Sequence, residues 1–546
     1  MVVATATAPG TATGTLASLN SGVAGLGVAD PPATPPRPRG YDDAPGAVGN
    51  VLSTKVALAL SPSEDPPPRS GFPYVIPLKE LCLESVARAF ASDQSCLREG
   101  ALPETLRARI VDLLDLRLDV HLAGRWIADE AYWCRRARAR WPSLARPGFA
   151  PTAHGRSWKQ MFFEKHVEEA IVASANDEAG PAGDDDEKKR NHLDATVRSA
   201  KKWTRVLSLR GLRAGGGSVR LGPTLFEPLA GCLTSLTLQY GENGAGVRYE
   251  PSAFGMAAAD CEALARCLPS AETLVRLSLP QNGLDCHRAR IIARGLGDNV
   301  SVTVLDLRSN AIGCRGARAL AKLLDARSVL RELDLADNDV GEEGARALAR
   351  ALRKNVSLRA LSLRLNAFVG DAGGEALCDA IRKASVAGAT RLESIDLGAC
   401  GLGARAARAA ARMLRCENSV LASASFAGND DFGPEAGGAF RAAFRVLRFD
   451  AGGSDGDARE RSESKRDPES SRGGSSRAAK KNASPSVREL EVRGCGFGAE
   501  CEEALEAAVG ANRARLEARG AQFPDRVSGT IANATFFEDL REESLE

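Results

Sequence analysis

Leucine and other apolar residues recur at fixed intervals along the chain from about residue 200 onward. They follow the pattern L-x-x-L-x-L-x-x-N-x-L, first complete at Leu274–Leu284, and units of this form start every 28 residues. The regular units start at Leu274, Val302, Leu330 and Leu358, and further units start at Leu233, Leu392, Leu421 and Val487. A degenerate unit, which matches the pattern only in part, lies around Leu207 and Leu209. A repeat of this kind predicts a solenoid, since one unit cannot bury its own apolar face and must stack on its neighbours.

The second half of each unit has the spacing of a helix. Residues 313–320 match residues 341–348 almost position for position, and Leu320, Leu323 and Leu324 fall on one helical face. Parallel strands stack about 4.8 Å apart whereas packed helices need about 8–10 Å, so a stack of such units must curve with its strands inside. We therefore predict an α/β fold, a leucine-rich-repeat solenoid (horseshoe) of the ribonuclease-inhibitor type.

A small, mostly helical N-terminal domain precedes the repeats. Its apolar residues recur at three- and four-residue steps, and a long helical pattern covers 123–141. We predict five regions: a disordered Pro/Ala/Gly-rich arm (1–70), a Trp-rich helical module (71–175), a charged linker (176–200), the repeat domain (201–524, with a disordered insertion at 450–485) and a C-terminal tail or cap (525–546).

Two sets of residues are candidates for contacts with partner proteins. Exposed aromatic residues are typical anchors of protein interfaces, and the N-terminal module concentrates them at Tyr132, Trp133, Trp141, Trp158, Phe162 and Phe163. The variable strand positions would face the concave surface, and they carry Asp306, Arg308, Glu332, Asp334, Arg364 and Asp396. Mixed charge without an aromatic anchor suits a broad protein surface better than a small ligand, although these residues also fit ordinary solvent-facing strand positions.

A structural role is predicted for the polar residue that follows each strand. An inward-facing amide can satisfy main-chain groups in a bend that has no ladder partner. This position is occupied by Asn282, Asn310, Asn338, Asn366 and Asn429, and by Cys400 and Cys495 in two other units. We expect the two cysteines to fill ladder sites as small buried residues rather than to act as reactive thiols.

Composition argues against several classes of function. The 72 Lys and Arg nearly balance the 70 Asp and Glu, which disfavours a general nucleic-acid binder, and the run Arg135–Arg140 is expected to be a solvated helix face. The 13 cysteines form no Cys-x-x-Cys pair, so we expect reduced, buried thiols and no metal site. We found no apolar stretch long enough to cross a membrane and no supported nucleophile or phosphate-binding motif. We therefore expect no enzyme activity, cofactor, small-molecule substrate or membrane partner.

Several motifs of the N-terminal module connect the chain to a known family. They are Leu78–Leu83, Leu102-Pro103-Glu104, Ile127–Trp133, Arg140-Trp141 and His154–Lys159 through Phe162–Glu164. Followed by these repeats, the series resembles the T-complex-associated testis-expressed leucine-rich-repeat proteins, the family of subunit 5 of the nexin–dynein regulatory complex. The resemblance implies a non-enzymatic scaffold of the cytoskeleton in the ciliary or flagellar axoneme. Its partners would be other dynein regulatory complex subunits and axonemal proteins, and it would link doublet microtubules and help regulate dynein-driven motility.

Two alternatives come from the same residues. Leu102-Pro103-Glu104 with Leu106, Ile110 and a later Trp also resembles an F-box, and an F-box before leucine-rich repeats indicates a substrate receptor of a ubiquitin ligase. A Ran-type GTPase activator uses the same repeats. Such activators need no Trp-rich module, which this chain has, and they usually end in a strongly acidic tail, which it lacks.

Overall fold

The computed structural model describes residues 77–98, 100–145, 151, 155–176, 184–212, 227–229, 231–241, 255–325, 327–416, 419–445 and 486–518. The predicted arm (1–70), insertion (450–485) and tail (525–546) lie outside these residues.

Within the described residues, nine strands form one parallel sheet in sequence order. The strands are β1 Val206–Leu212, β2 Ser235–Tyr240, β3 Arg276–Ser278, β4 Val304–Asp306, β5 Glu332–Asp334, β6 Ala360–Ser362, β7 Ser394–Asp396, β8 Ser423–Ser425 and β9 Glu489–Glu491. Each repeat thus supplies one strand, and the degenerate unit around Leu207 supplies β1. The predicted leucine-rich-repeat solenoid is confirmed.

The alternation of each strand separates a core face from an open face. Leu277, Leu305, Leu333 and Leu361 are paired in register from β3 to β6, and all four are buried. Helices pack against the core face of the sheet. Small buried residues on the helices, such as Ala317, allow this close packing. The helices of the repeat region are α7 Glu227–Leu229, α8 Ala258–Cys267, α9 Cys286–Gly297, α10 Cys314–Ala321, α11 Glu342–Leu352, α12 Gly370–Val386, α13 Ala404–Leu414, α14 Gly433–Arg445 and α15 Ala499–Ala518.

Six α-helices of the described residues precede the first strand. They are α1 Leu78–Ala89, α2 Glu104–Leu113, α3 Val120–Trp126, α4 Glu130–Arg140, α5 Trp158–Asn176 and α6 Asp184–Ala200. The pattern that predicted one helix over 123–141 is two helices, because the Asp129 carboxylate accepts a hydrogen bond from Tyr132 N (2.7 Å) and so caps a new helix. The segment predicted as a charged linker, 176–200, contains α6, which buries Leu193 and Val197.

The N-terminal helices contact the repeats through α5, which lies along the outer edge of β1. The Glu164 carboxylate accepts hydrogen bonds from the main-chain N–H groups of Arg205 (3.1 Å) and Val206 (2.9 Å). Glu168, one helical turn later, accepts one from Ser208 N (2.6 Å). An edge strand otherwise leaves such donors without partners. The helical module therefore closes the N-terminal end of the sheet.

The repeat that starts at Leu358 departs from the predicted pattern. Phe368 occupies the last apolar position of the motif, yet it is 72 % exposed, and the next residue, Val369, is buried in its place. A short 3-10 helix, Ala367–Val369, adds a residue before α12, and Gly370 follows it with a φ of 63°. A 3-10 helix at the same position, Asp430–Phe432, occurs in the repeat of β8, where the buried residue is Phe432.

All 13 cysteines are described, and all are free thiols. Cys261, Cys378, Cys400 and Cys495 are buried, Cys82 is exposed and the remaining cysteines are half-buried, so the expectation of burial holds fully for only four thiols and is wrong for Cys82.

Candidate functional site

The candidate site is the open face of the sheet, opposite the helices. Parallel register places Ser278, Asp306, Asp334, Ser362 and Asp396 side by side on consecutive strands. Because β-strand side chains alternate, these residues point away from the buried leucines that precede them. The repeat period thus converts residues about 28 positions apart into neighbours about 4.8 Å apart.

Five of the six predicted open-face residues line one shallow depression in the centre of the sheet. They are Asp306, Arg308, Glu332, Asp334 and Asp396. The sixth, Arg364, is outside the lining, but its charge acts on Asp396 and favours the ionised form of that carboxyl group. The structure therefore brings together most of this predicted set. The depression encloses about 60 Å³, well below the about 300–1,000 Å³ of small-molecule pockets.

The sequence alone did not point to the other residues that line this depression. Besides the core residues Leu305, Leu333 and Leu361, they are Ala360, Ser362 and Ser394 of β6 and β7, and Arg276 and Val304 of β3 and β4. Apart from the leucines, each is the first or the third residue of its strand, as are the predicted residues Asp306, Glu332, Asp334 and Asp396. Reading all repeats in register, rather than selecting charged positions, would have found them.

The carboxyl groups around the depression are hard to ionise. Burial and the neighbouring Asp306 raise the pKa of Asp334 to about 6, against hydrogen bonding from Ala336 N. Burial also raises the pKa values of Glu332 and Asp396. The fourth carboxylate, Asp306, lies 3.6 Å from Arg308 and accepts a hydrogen bond from the Ser278 hydroxyl (2.7 Å).

The asparagines after the strands form the ladder that their position predicts. The Asn338 amide nitrogen donates to Leu307 O of the preceding repeat (3.0 Å), and its oxygen accepts from Ile312 N (3.0 Å). The other amides donate in the same way, from Asn282 to Leu238 O, from Asn310 to Leu279 O, from Asn366 to Leu335 O and from Asn429 to Leu397 O. These residues are structural, because they bond main-chain groups of adjacent repeats.

Thiols replace the amide in two repeats. Cys400 Sγ donates to Leu363 O (3.0 Å) and Cys495 Sγ to Phe426 O (3.1 Å), so each thiol lies in a ladder site. Burial raises both thiol pKa values to about 12, which keeps them protonated and unreactive.

The aromatic residues predicted to dock a partner form the core of the N-terminal module instead. Trp133 lies at its centre, with ring centroids 5.1 Å from Phe162 and 5.3 Å from Phe163. Tyr132, Trp133, Trp158, Phe162 and Phe163 are all buried, and Trp141 is partly buried against Phe162. Buried side chains cannot contact a partner in the folded protein, so a docking role does not fit the five buried residues, whereas Trp141 remains partly exposed.

A buried lysine accompanies this aromatic core, and no sequence pattern pointed to it. Lys159 Nζ donates to Gly124 O and Ile127 O, both at 2.8 Å, and lies 4.3 Å from the ring centroid of Trp203. Burial lowers the Lys159 pKa to about 8. These contacts tie α5 to α3 and to the residues just before β1.

The arginine run of α4 has intramolecular partners. Arg136 is buried and donates to the Tyr132 hydroxyl (3.1 Å) and to Leu118 O (2.5 Å). Arg135 donates to Asp112 O, and Arg140 pairs with Glu169 at 2.7 Å. Arg135 and Arg136 therefore connect helices, whereas Arg138 and Arg140 are exposed, so the predicted solvated face is wrong for the first two arginines and holds for the last two.

Among the described residues, no group of three or more His, Cys, Asp or Glu is placed to hold a metal ion. None of their helices has the length and apolar character required to span a bilayer.

Comparisons with known proteins agree with the repeat architecture. A family described as Leucine Rich repeat matches residues 298–321, 328–349 and 354–378. A Chlamydomonas reinhardtii protein named Dynein regulatory complex subunit 5 is 37 % identical over 217 residues, which are 40 % of this chain and 50 % of that protein. Human and mouse proteins of the same name are each 31 % identical over 239 residues, 41 % of this chain and 46 % of each relative. The chain thus spans about half the length of the curated relatives it matches, and the resemblance inferred from its motifs is confirmed.

Proposed function

We propose that this chain, a homologue of proteins named Dynein regulatory complex subunit 5, is a non-enzymatic scaffold subunit of that complex. The observation that carries the proposal is the 37 % identity to the Chlamydomonas protein over 217 residues. The subunit would act in the axoneme of motile cilia or flagella, help link doublet microtubules and help regulate dynein-driven motility. Its partners would be other subunits of the complex and axonemal proteins.

The architecture supports a scaffold role in physical terms. Each repeat is bonded to the next by a strand ladder and an asparagine ladder, so the sheet is a rigid platform. Its open face carries charged side chains around a depression too small for an ordinary substrate. Charged, broad surfaces of this kind give specificity in protein association.

The test is complementation in a Chlamydomonas reinhardtii strain that lacks its own subunit 5. A tagged copy of this chain should remain with demembranated axonemes, leave them in high salt or chaotrope, and co-purify with other subunits of the complex. A tagged chain that is stably expressed but confined to the soluble fraction would overturn the proposal. Binding to a Skp1-type adaptor in that fraction would support the F-box alternative instead.

Charge-reversal variants locate the face that is used. Asp334→Lys changes the open face, and Glu343→Lys makes the same change on the outer side of α11, where Glu343 is exposed and forms a surface ion pair with Arg318 (3.2 Å). The first variant should weaken retention on axonemes, and the second should behave as the unmodified chain. Equal retention of both would show that the open face is not the contact surface.

A further inference from the structure

The central depression is lined by both small residues and acidic residues. Ser362 of β6 lies between Asp334 of β5 and Asp396 of β7 in the register of the sheet. Two strand spacings separate the flanking aspartates, about 10 Å between their backbones. Because Ser362 is short, this leaves a gap between the two carboxylates that is wide enough for one extended side chain.

The lining of the depression is negative. Asp306, Glu332, Asp334 and Asp396 contribute four carboxylates, against the guanidinium groups of Arg276 and Arg308, so its net charge is −2. Arg308 lies 3.6 Å from Asp306. Among the described residues, none of the ion pairs within 4 Å involves Glu332, Asp334 or Asp396. Glu332, Asp334 and Asp396 therefore have no ion pair within 4 Å in the described part of the chain, and the charges of Arg276, Arg308 and Arg364 act on them from farther away.

Two hydroxyl groups in the depression also lack partners. Ser362 and Ser394 are each only 8 % exposed, and both line the depression. Ser278, the equivalent of Ser362 three strands earlier, donates to Asp306, and Ser425 donates to Glu491 (3.0 Å). In the described part of the chain no side-chain hydrogen bond is formed by Ser362 or Ser394. Both hydroxyl oxygens line the depression and are not enclosed, so they are open to a ligand that supplies donors.

We propose that this depression receives an arginine or lysine side chain from a partner protein. Glu332, Asp334 and Asp396 would be its counter-ions, and the Ser362 and Ser394 hydroxyls would accept its remaining N–H groups. An arginine satisfies this set best, because its planar guanidinium carries five donors that can meet carboxylates on two sides. The raised pKa values of the three acidic residues fit carboxylates that await a cation. This inference rests on the proposed scaffold function, since it takes the occupant to be part of a protein.

The direct test uses peptide libraries and the purified full chain. Ten-residue peptides with random sequence are prepared with a fixed central Arg, Lys, Glu or Leu, and their binding is compared by fluorescence anisotropy. The Arg library should bind about tenfold more tightly than the Glu and Leu libraries, with Lys between them, and added salt should weaken it. Equal binding of the four libraries would overturn the proposal.

Isosteric variants separate charge from fold. Asp334→Asn with Asp396→Asn keeps the side-chain oxygens that accept from Ala336 N and Gly398 N, both at 2.9 Å, and removes two charges. This double variant should lose the preference for Arg while its thermal midpoint holds or rises. The control Glu343→Gln, on the outer side of α11, should keep the preference. A double variant that still prefers Arg would contradict the assignment.

A third variant places the cation on the chain itself. Ser362→Arg puts a guanidinium between Asp334 and Asp396, so it should occupy the site, raise the thermal midpoint and abolish the preference for Arg peptides. If Ser362→Arg folds and leaves the Arg preference intact, the depression is not the binding site. If it does not fold, the asparagine double variant decides the question.

The peptide measurements and the axoneme test fail separately. If the chain prefers Arg peptides but stays in the soluble fraction, the basic occupant of the depression is supported and membership of the complex is overturned. If the chain enters axonemes but binds the four peptide libraries equally, the scaffold function is supported and the basic occupant is overturned.

Discussion

The Glu164 carboxylate in α5 and the main-chain N–H of Val206 in β1 are joined by a hydrogen bond of 2.9 Å across the junction between the helical module and the repeats. Arg205 N donates to the same oxygen at 3.1 Å. A side chain from a helix thus takes the place of the strand that a preceding repeat would have supplied. Burial raises the pKa of Glu164, with its hydrogen bonds and Arg156 opposing the effect.

Replacing Glu164 tests whether this junction stabilises the whole sheet. Glu164→Ala leaves two main-chain donors without a partner, so the free energy of unfolding should fall by about 2–4 kcal/mol. Glu164→Gln keeps an acceptor oxygen and should cost much less. Urea unfolding followed by circular dichroism measures both variants. Equal midpoints for Glu164→Ala and the unmodified chain would show that the module does not stabilise the first strand.

Glu168 predicts a pH dependence at the same junction. Its side chain is partly exposed, but its carboxyl group is enclosed, and burial raises its pKa from 4.5 to about 7. A carboxyl group with a raised pKa in the folded state stabilises the protein when protonated, so its contribution is lost as the pH rises from about 4.5 to about 7.

Glu168→Gln should remove this dependence. The glutamine oxygen can still accept from Ser208 N, and no charge remains to be buried. The variant should therefore be more stable than the unmodified chain at pH 8, by about 1–2 kcal/mol, and equal to it near pH 4. Thermal unfolding at both pH values gives the comparison. A stability difference that does not change with pH would contradict the raised pKa.

The two thiols in the asparagine ladder predict a graded series at Asn338. The amide of Asn338 both donates to and accepts from the preceding repeat. Asn338→Ala removes both bonds and should cost about 2–4 kcal/mol. Asn338→Cys should cost less, because a thiol at the same position, Cys400, still donates to a carbonyl of the preceding repeat (3.0 Å). Urea midpoints in the order Asn, Cys, Ala are expected, and a cysteine variant less stable than the alanine variant would contradict the comparison.

Phe368 and Val369 provide a test of the shifted repeat. Phe368 is largely exposed, so Phe368→Ala should change stability by no more than about 0.5 kcal/mol. Val369→Ala removes a buried side chain and should cost about 1–3 kcal/mol. Phe432→Ala, at the buried position of the repeat of β8, is the matched control and should cost about 3–5 kcal/mol. A large loss from Phe368→Ala would show that the sequence motif, and not the shifted register, describes the packing.

The repeat domain was predictable because its physics is local and periodic. The spacing of Leu277, Leu305 and Leu333 requires inward-facing strands, and the polar residue after each strand must satisfy the following bend. Fold class, strand order and the role of Asn310 or Asn338 therefore follow from the sequence alone. A long helical pattern also indicated the N-terminal module, although Asp129 divides it into two helices.

Only the tertiary structure decided which residues are accessible and which are neighbours. Aromatic residues such as Trp133 carry the same composition signal whether they lie in a core or on a surface, and packing of α4 against α5 places them inside. The Phe368 register shifted because one added residue forms a 3-10 turn, which periodicity does not reveal. The carboxylates of Glu164 and Glu168 meet β1 through contacts some 40 residues apart in the chain. Such long-range contacts depend on how helices pack in three dimensions, whereas the repeat pattern specifies the order of strands along the chain.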